Sequence, residues 1–359
     1  MKKIPLPVWT VAIPVLSWLL YFGQGLTSSG LYTFFLAFSV IGAVMAAVHH
    51  AEVVAHRVGE PYGTLVLAIA ITIIEVSLIV SLMLAGGAET NALARDTVFA
   101  AIMIILTGII GLCLLVGGIF YKEQEFSGYG VSASLVTLTA ITVLTLVLPN
   151  YTTSVPGPVY SDSQLIFVAI ISLVLYFGFV AIQTGRHRDY FLPRKQQGSD
   201  VQHAMPPTNL ATILSLVFLF ICLGAVVLIA KALAPSIESG VVNVGAPKAL
   251  VGVIVALVIL LPEGFAAVRA ASQNRLQASL NLALGSALAS IGLTIPAVAI
   301  VSIFTGLTVT LGIDTKSIVL LLLSLFTILI SFSTGRTNIL QGVVLLVIFA
   351  VYLFTTIVP

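Results

Sequence analysis

Apolar runs long enough to cross a lipid bilayer recur along almost the whole of this 359-residue sequence. A helix needs about 17 to 25 predominantly apolar residues to span the hydrocarbon core, and eleven runs are of about that length. They lie near 8–24, 31–50, 62–85, 97–120, 131–149, 164–183, 210–233, 247–269, 279–304, 317–333 and 338–357. The second run is expected to continue as helix to Val58, because Gly59 is a typical helix stop and Pro61 a typical helix start. The sequence therefore predicts an all-α polytopic membrane protein with 11 transmembrane helices.

The composition excludes a water-soluble globular domain of this length. Only 8% of the residues are charged, 59% are hydrophobic and the mean hydropathy is +1.17. The net charge of +2 is small and no basic patch is present, so the expected partner is the lipid bilayer and not a nucleic acid. Cys113 and Cys222 lie inside apolar runs, where buried thiols are expected in preference to a disulfide or metal ligands. The oligomeric state stays open.

Lysine and arginine are distributed unequally between alternate connections. With the N-terminus on the inner side, eleven basic residues fall on that side: Lys2, Lys3, Arg57, Lys122, Arg186, Arg188, Arg194, Lys195, Arg269, Arg275 and Arg336. Four fall outside: Arg95, Lys231, Lys248 and Lys316. This positive-inside bias predicts a cytoplasmic N-terminus and, after an odd number of spans, a periplasmic C-terminus.

A polar linker at 185–208 divides the chain into matching parts. After a leading helix in 1–30, five predicted spans occupy 31–184 and five more occupy 209–359. Because five is an odd number, a repeated five-helix unit must take opposite orientations in the membrane. This pattern predicts the inverted repeats of secondary transporters, which bind substrate near the membrane midplane.

Two glutamates, Glu75 and Glu263, are the acidic residues deep within predicted spans, each in the second span of its repeat. A charge at that depth costs about 2.5 to 3.5 kcal/mol on insertion scales, so it normally faces a cavity and marks an ion or proton path. No lysine or arginine lies at similar depth, and two facing carboxylates do not both stay ionised comfortably. The pair is therefore expected to take up protons or a cation in competition, which is the minimum machinery of cation/proton exchange.

Other oxygen ligands are candidates around these glutamates. Pro262 is expected to break or kink the helix before Glu263 and to free the Val258 carbonyl. The secondary candidates are Thr72, Ser77, Asn281, Ser286 and Ser290, although hydroxyl groups in membrane helices often bond their own backbone instead. Glycines in the fourth and ninth runs are expected mainly to allow close helix packing: Gly108, Gly111, Gly117, Gly118, Gly285 and Gly292.

Ionisable residues also gather at the predicted inner end of the second run. His49, Glu52 and His56 share one helical face, which predicts either a pH sensor or metal site, or simply an interfacial helix end. Glu60 follows them, as a helix cap or as a cation-recruiting group at the inner mouth.

These residues carry a resemblance to a known family. Five stretches of the sequence resemble the ChaA-type antiporters. They are His50-Ala-Glu-Val-Val-Ala-His56-Arg-Val-Gly-Glu60-Pro-Tyr-Gly, Ile74-Glu75-Val-Ser, Leu261-Pro-Glu263-Gly, Asn281-Leu-Ala-Leu-Gly285-Ser286 and Ser333-Thr-Gly-Arg336-Thr-Asn338. These bacterial inner-membrane proteins are calcium/proton and sodium(potassium)/proton exchangers in the cation exchanger branch of the calcium/cation antiporter superfamily. The resemblance implies one leading helix, two inverted five-helix repeats and ion coordination by Glu75 and Glu263. The asparagine of the wider branch's Gly-Asn-Ala-x-Glu motif is missing before both glutamates, so sodium or potassium stays open beside calcium.

Two other classes of function compete with an antiporter that works by alternating access. A passive cation channel could also use opposed glutamates. A membrane enzyme is less favoured, because no His-Glu-x-x-His motif is present and the aspartates lie in connections or at span ends: Asp96, Asp162, Asp189 and Asp314. No phosphate-binding Gly-Lys-Ser or Gly-Lys-Thr loop is present, so no cofactor is expected beyond the transported Ca2+, Na+ or K+, and H+.

Overall fold

Helices make up most of the described part of the chain, as the apolar runs predict. A computed structural model describes residues 6–24, 30–59, 62–86, 90–191, 207–243, 245 and 247–358. Within these ranges, ten helices are long and apolar enough to cross a membrane, and the shorter apolar helix Val8–Gly23 precedes them. All eleven predicted runs are therefore helical, and the prediction of an all-α polytopic membrane protein is confirmed.

The helices are numbered α1 to α11 in chain order. Their bounds are α1 Val8–Gly23, α2 Gly30–Val58, α3 Tyr62–Gly86, α4 Leu93–Tyr121, α5 Gly128–Tyr151, α6 Asp162–Arg186, α7 Asn209–Asn243, α8 Ala249–Ser272, α9 Leu276–Thr305, α10 Thr315–Phe332 and α11 Ile339–Ile357. The helix α2 ends at Val58 as predicted, and Gly59 then takes φ +77°, a conformation that favours glycine. Two short strands, β1 Glu123–Glu125 and β2 Arg336–Asn338, pair in antiparallel fashion.

Three of the helices contain π-helical turns. These turns are Ile104–Ile109 in α4, Val143–Val147 in α5 and Ile182–Arg186 in α6. Each contains a threonine whose hydroxyl donates to the carbonyl four residues earlier: Thr107 to Met103 at 2.5 Å, Thr145 to Ile141 at 2.7 Å and Thr184 to Val180 at 2.7 Å. A π turn shifts the backbone bonding by one residue, and these hydroxyls provide donors for carbonyls at the shift.

Helix α8 corrects one prediction. Its helical conformation is continuous from Ala249 to Ser272 with Pro262 inside it, so the predicted break before Glu263 does not occur. Proline is tolerated within membrane helices because neighbouring helices and local adjustments satisfy the freed backbone groups.

The chain forms two compact units. The first contains the described parts of residues 1–90 and 200–244, and the second those of 91–199 and 245–359. In the first unit, α2 packs against α1, α3 and α7. Each unit takes segments from both sequence halves, so the units do not coincide with the predicted repeats. The division into a leading helix, two inverted repeats and a linker stays a prediction.

In the second unit, the helix α9 packs against α4, α5, α6 and α8, while α11 packs against α4. Hydrogen bonds join the connections at each end of these helices. At one end, the β1–β2 pairing joins the α4–α5 and α10–α11 connections, and the Tyr121 hydroxyl donates to the Ser272 carbonyl at 3.0 Å. At the other end, the Thr310 and Gly312 amides donate to the carbonyls of Asn91 and Pro158, both at 3.0 Å.

The two ends of the second unit differ in charge. The end with the strand pair carries six basic and three acidic residues: Lys122, Arg186, Arg188, Arg269, Arg275, Arg336, Glu123, Glu125 and Asp189. It is called the basic end below. The opposite end carries three basic and three acidic residues: Arg95, Lys248, Lys316, Asp96, Asp162 and Asp314. The basic residues that the sequence predicts on the inner side thus share one end of this unit.

The glycines of α4 permit close packing, as predicted. An added Cβ at Gly111 would lie 3.1 Å from Leu345 of α11, and one at Gly118 would lie 2.8 Å from the Ile339 amide nitrogen. From the other side, Gly342 of α11 faces the backbone of α4. Gly292 of α9 lies against the ring of Tyr176 in α6.

Candidate functional site

Glu75 lies on the buried face of α3 in the first unit. Its side chain is 3% exposed, and Thr72, one turn earlier on the same face, is 7% exposed. Ile73 points away from this face and is 47% exposed, as expected for a lipid-facing residue. Ser77 is half-buried, between the two faces. Of the two first-repeat candidates, Thr72 therefore shares the face of Glu75, and Ser77 does not.

Glu263 lies on the buried face of α8 in the second unit. It is 6% exposed and shares its face with Ile259, Ala267 and Ala271 at spacings of four residues. Ala267 and Ala271 pack tightly against Cys113 of α4, a free cysteine. The small side chains bring α8 and α4 close together on the basic side of Glu263.

The π turn of α4 lies beside this glutamate. Ile109, the last residue of the turn, packs against Gly264, where an added Cβ would lie 3.3 Å from the Ile109 Cδ1 atom. The irregular turn of α4 and the glutamate of α8 thus occur at the same level of the second unit. The sequence does not predict this turn, because its residues are ordinary apolar residues of a membrane helix.

Asn281, predicted as a secondary cation ligand, forms hydrogen bonds that connect parts of the fold. Its Oδ1 atom accepts from Gln277 Nε2 at 2.9 Å, and its Nδ2 donates to the Phe191 carbonyl at 2.5 Å. Gln277 also accepts from the Ser127 amide at 2.6 Å. The Asn281 amide therefore joins α9 to the segment after α6, and its oxygen already has a donor. A role as a cation ligand stays a prediction.

Replacing Asn281 by alanine separates the two roles. We expect Asn281→Ala to lower the free energy of unfolding by about 1 to 2 kcal/mol, because two hydrogen bonds are lost and the Phe191 carbonyl loses its donor. We expect the apparent affinity for the transported cation to stay unchanged. Thermal unfolding in detergent and the cation concentration for half-maximal exchange measure the two effects. A several-fold weaker affinity without loss of stability would instead indicate a ligand.

Gln124, which the sequence does not single out, connects the strand pair to the helix that carries Glu263. It is 3% exposed, and its Nε2 donates to the Ala271 carbonyl and to Asn274 Oδ1, both at 3.0 Å. Its Oε1 lies against Gly117, where no side chain would fit. Gln124 thus binds the C-terminal end of α8 to β1. A polar residue in a short connection gives no sequence signal for such a contact.

Gly285 and Ser286 differ from the rest of α9, which is largely buried. No atom lies within 4 Å of a Cβ added at Gly285, so the helix borders open space there. Ser286 is half-buried, and Ser290, one turn further, is 5% exposed. Of the two candidate serines, Ser286 therefore lies beside the open space.

The three residues predicted to share one face of α2 differ in their exposure to solvent. His49 is half-buried, with its ring 5.5 Å from that of Trp9, whereas Glu52 and His56 are exposed. Glu60 lies outside the described residues. Within the described ranges, no group of three or more His, Cys, Asp or Glu side chains could hold a metal ion.

The buried histidine is His50, which the site prediction does not include. Its side chain is 0% exposed, Nε2 lies 3.0 Å from the Thr10 carbonyl of α1, and Nδ1 lies 3.3 Å from Ser215 Oγ of α7. The sequence gives little signal for this contact, because the two partners are 40 and 165 residues away.

The opposite end of the second unit has well-defined polar contacts. Arg95 and Asp96 form an ion pair at 2.8 Å, and Arg95 also donates to the Gly312 carbonyl at 3.0 Å. In the connection before α6, the Tyr160 hydroxyl donates to the Leu144 carbonyl at 2.6 Å, and burial raises the pKa of Tyr160 to about 12. Tyr160 is therefore neutral at physiological pH and acts as an anchor.

Ten of the described helices are long and apolar enough to cross a membrane, and two of them, α3 and α8, each bury one glutamate, which is the pattern expected of a polytopic membrane transporter. The chain belongs to the sodium/calcium exchanger family: the family model described as sodium/calcium exchanger protein matches residues 27–185 and 214–358. The resemblance noted in the sequence is thereby confirmed. The relatives are transporters and exchangers, not enzymes.

Individual proteins agree with this family. A protein of Sinorhizobium fredii described as a candidate ionic transporter, y4hA, is 47% identical over 93% of this chain and 88% of its own length. The sodium-potassium/proton antiporter ChaA of Escherichia coli is 38% identical over 88% of this chain and 86% of its own length. The structure of native YfkE is similar with a TM-score of 0.75 at 19% identity, covering 98% of this chain and 99% of that one. This structural likeness supports the fold.

Proposed function

We propose that the protein is a proton-coupled cation antiporter in which Glu75 and Glu263 bind the cation and the protons in competition. The observation that carries this proposal is that each of the two units buries one glutamate in the middle of an apolar, membrane-length helix, at 3% and 6% exposure. A buried carboxylate at such depth is favourable only with a proton or a cation bound. Exchange follows when the two compete for the same oxygens.

The exchange works by alternating access. A cation reaches the carboxylates from the inner side and displaces protons, the helices rearrange, and protons from the outer side then displace the cation. The proton gradient across a bacterial inner membrane supplies the driving force, so no cofactor takes part. The N-terminus is cytoplasmic and the C-terminus periplasmic, in accord with the shared end of six basic residues in the second unit.

Sodium or potassium is the favoured cation. Calcium prefers six to eight oxygen ligands, and the asparagine of the related motif is absent before both glutamates. Thr72, Ser286 and Ser290 are the additional ligands that we propose. Thr72 shares the buried face of Glu75, Ser286 follows the open space at Gly285, and Ser290 is buried one turn further along α9. The similarity to a protein named as a sodium-potassium/proton antiporter supports the same preference.

The test is cation-driven proton release from everted vesicles. Vesicles from cells without their own exchangers are acidified and loaded with a pH-sensitive dye, and Na+, K+ or Ca2+ is then added. We expect Na+ or K+ to dissipate the pH gradient at lower concentrations than Ca2+. Cation flux without proton counterflow would contradict the proposal and favour a passive channel.

A variant at Gly285 tests whether the open space of α9 belongs to the ion path. We expect Gly285→Val to leave thermal stability within about 0.5 kcal/mol of wild type, because an added Cβ meets no atom within 4 Å. We expect exchange to fall at least about tenfold, because the side chain narrows the path beside Ser286. Stability is measured by thermal unfolding and exchange in everted vesicles.

Gly292→Val is the matched comparison for Gly285→Val. An added Cβ at Gly292 would lie 2.9 Å from Tyr176 Cβ, so this variant should lose stability. Normal exchange by a stable Gly285→Val protein would show that the space is not part of the path.

A further inference from the structure

His50 lies where three helices of the first unit meet. From α2, its ring bonds the Thr10 carbonyl of α1 and Ser215 of α7, and it stacks on Phe218 of α7 with centroids 5.5 Å apart and an interplanar angle of 19°. The side chain is fully buried. One imidazole therefore joins the leading helix to two other helices.

The Thr10 carbonyl is available because of Pro14. In a regular helix the carbonyl of residue 10 accepts from the amide of residue 14, but proline has no amide hydrogen. Within a membrane-spanning fold such a carbonyl needs another donor. His50 supplies it, at 3.0 Å from outside the helix. Thr10, Pro14 and Ser17 form the buried face of α1, so the carbonyl lies at the contact surface.

The partners determine which nitrogen of His50 carries the proton. A carbonyl can only accept, so Nε2 is the donor to Thr10. In the neutral ring Nδ1 is then an acceptor, and the Ser215 hydroxyl can donate to it. The neutral imidazole thus satisfies both of its nitrogens without any further group.

A protonated His50 would lack a compensating charge in these surroundings. The groups that contact its ring are neutral, and α1 and the facing part of α7 contain no acidic or basic residue between Val8 and Gly23 or between Asn209 and Cys222. The surrounding helices contain the following ionisable residues: Tyr32, His49 with its ring 5.9 Å away, Glu52, His56 and Arg57 on α2, Tyr21 on α1, Cys222, Lys231 and Glu238 on α7, and Tyr62 and Glu75 on α3. Glu52, His56 and Arg57 are exposed, and Arg57 donates to Asn209. An enclosed charge without a partner typically costs several kcal/mol.

We propose that neutral His50 docks the leading helix α1 onto α2 and α7, and that protonation of His50 releases α1. Docking of α1 is then a pH-sensitive step that is separate from proton binding by Glu75 and Glu263, and it goes beyond the exchange reaction itself. At acidic pH α1 leaves this contact, and at neutral or alkaline pH it stays bound.

The chain contains its own reporter for this event, because its two tryptophans, Trp9 and Trp18, both lie on α1. The Trp18 indole nitrogen donates to the Ile221 carbonyl of α7 at 3.0 Å, and its ring lies against Gly224. Trp9 is close to His49, whose own titration would affect its emission. A Trp9→Phe protein therefore leaves Trp18 as a single probe of α1 against α7.

The experiment measures Trp18 quenching by phospholipids with brominated acyl chains in nanodiscs. When α1 is docked, the ring is shielded by α7, and when α1 is released, the ring faces lipid. Between pH 8 and pH 4 we expect quenching of the Trp9→Phe protein to increase about twofold. The midpoint should lie below about 6.5, the ordinary value for histidine, because docking favours the neutral ring. The increase should be absent after His50→Gln and retained after His49→Gln, both in the Trp9→Phe background.

A second variant reaches the same contact without changing His50. Pro14→Ala restores an amide hydrogen for the Thr10 carbonyl, so His50 loses its acceptor. We expect quenching at pH 8 to rise towards the acidic value in this variant. If it stays at the docked value, the Thr10 contact does not hold α1.

The proposal is overturned if quenching does not change with pH, or if the change persists after His50→Gln. A change that is lost only after Glu75→Gln would assign it to the glutamate. The quenching experiment uses no cation gradient. Quenching that does not depend on pH would therefore not contradict the proposed exchange, and a protein that does not exchange cations can still be tested for docking of α1.

Discussion

Replacing either Glu75 or Glu263 by glutamine is expected to abolish cation-driven proton release from acidified, everted vesicles. Glutamine keeps the size of the side chain, but it can neither neutralise a cation nor carry a proton. Removing one partner of a buried ion pair typically costs about 3 to 5 kcal/mol. At about 1.4 kcal/mol per tenfold change, exchange should fall by a factor of roughly 10² to 4 × 10³. The measurement is the initial rate of proton release, normalised to the amount of inserted protein.

Glu52→Gln is the matched control for these two variants. It makes the same chemical change on an exposed position of α2, so exchange should stay close to wild type. If Glu75→Gln or Glu263→Gln exchanges normally while correctly inserted, that residue is not part of the binding site. If one variant is inactive and the other active, a single carboxylate carries the exchange.

Replacing Gly342 by valine is expected to have the largest effect on stability. An added Cβ would lie 2.5 Å from the Leu115 amide nitrogen and 2.8 Å from the Gly111 carbonyl oxygen of α4. These are backbone atoms in the middle of a helix, which cannot rotate away as a side chain can. Overpacking of this kind costs about 1 to 3 kcal/mol and occasionally more, and we expect a loss at the upper end. Thermal unfolding of the purified protein in detergent measures it.

Gly178→Val on α6 serves as the control for Gly342→Val. Gly178 is exposed, and no atom lies within 4 Å of a Cβ added there. Its valine variant should unfold at nearly the wild-type temperature. Equal stability of the two variants would mean that α11 and α4 are not in backbone contact.

The helices could be predicted from the sequence because the length of each apolar run decides whether it spans a membrane. The end of α2 at Val58 was also predictable, since Gly59 takes a positive φ there. The π turn at Ile104–Ile109 was not, because an extra residue in a helical turn leaves the apolar pattern almost unchanged. Of the break or kink predicted at Pro262, the break is wrong: α8 is helical through this residue, and membrane helices generally tolerate proline.

The sequence predicts those candidate site residues that are isolated polar residues within apolar runs, but not the contacts that they make. Glu75 and Glu263 are conspicuous in apolar runs, and the structure buries both of them. The contacts of Asn281 and His50 depend on residues 90 and 40 positions away, respectively, which a linear pattern does not bring together. The presence of Pro14 four residues after Thr10 shows in retrospect where a side-chain donor was needed.

The strand pair at the basic end has a mechanical consequence. The antiparallel pairing of Glu123–Glu125 with Arg336–Asn338 fastens the ends of four helices, and Gln124 fastens a fifth through the Ala271 carbonyl. These helices cannot separate at this end unless several hydrogen bonds break together. In the second unit these hydrogen bonds therefore hold the basic end together. In the proposed exchange, we expect any bending that exposes Glu263 to occur further along the helices, where the π turn interrupts the regular backbone of α4.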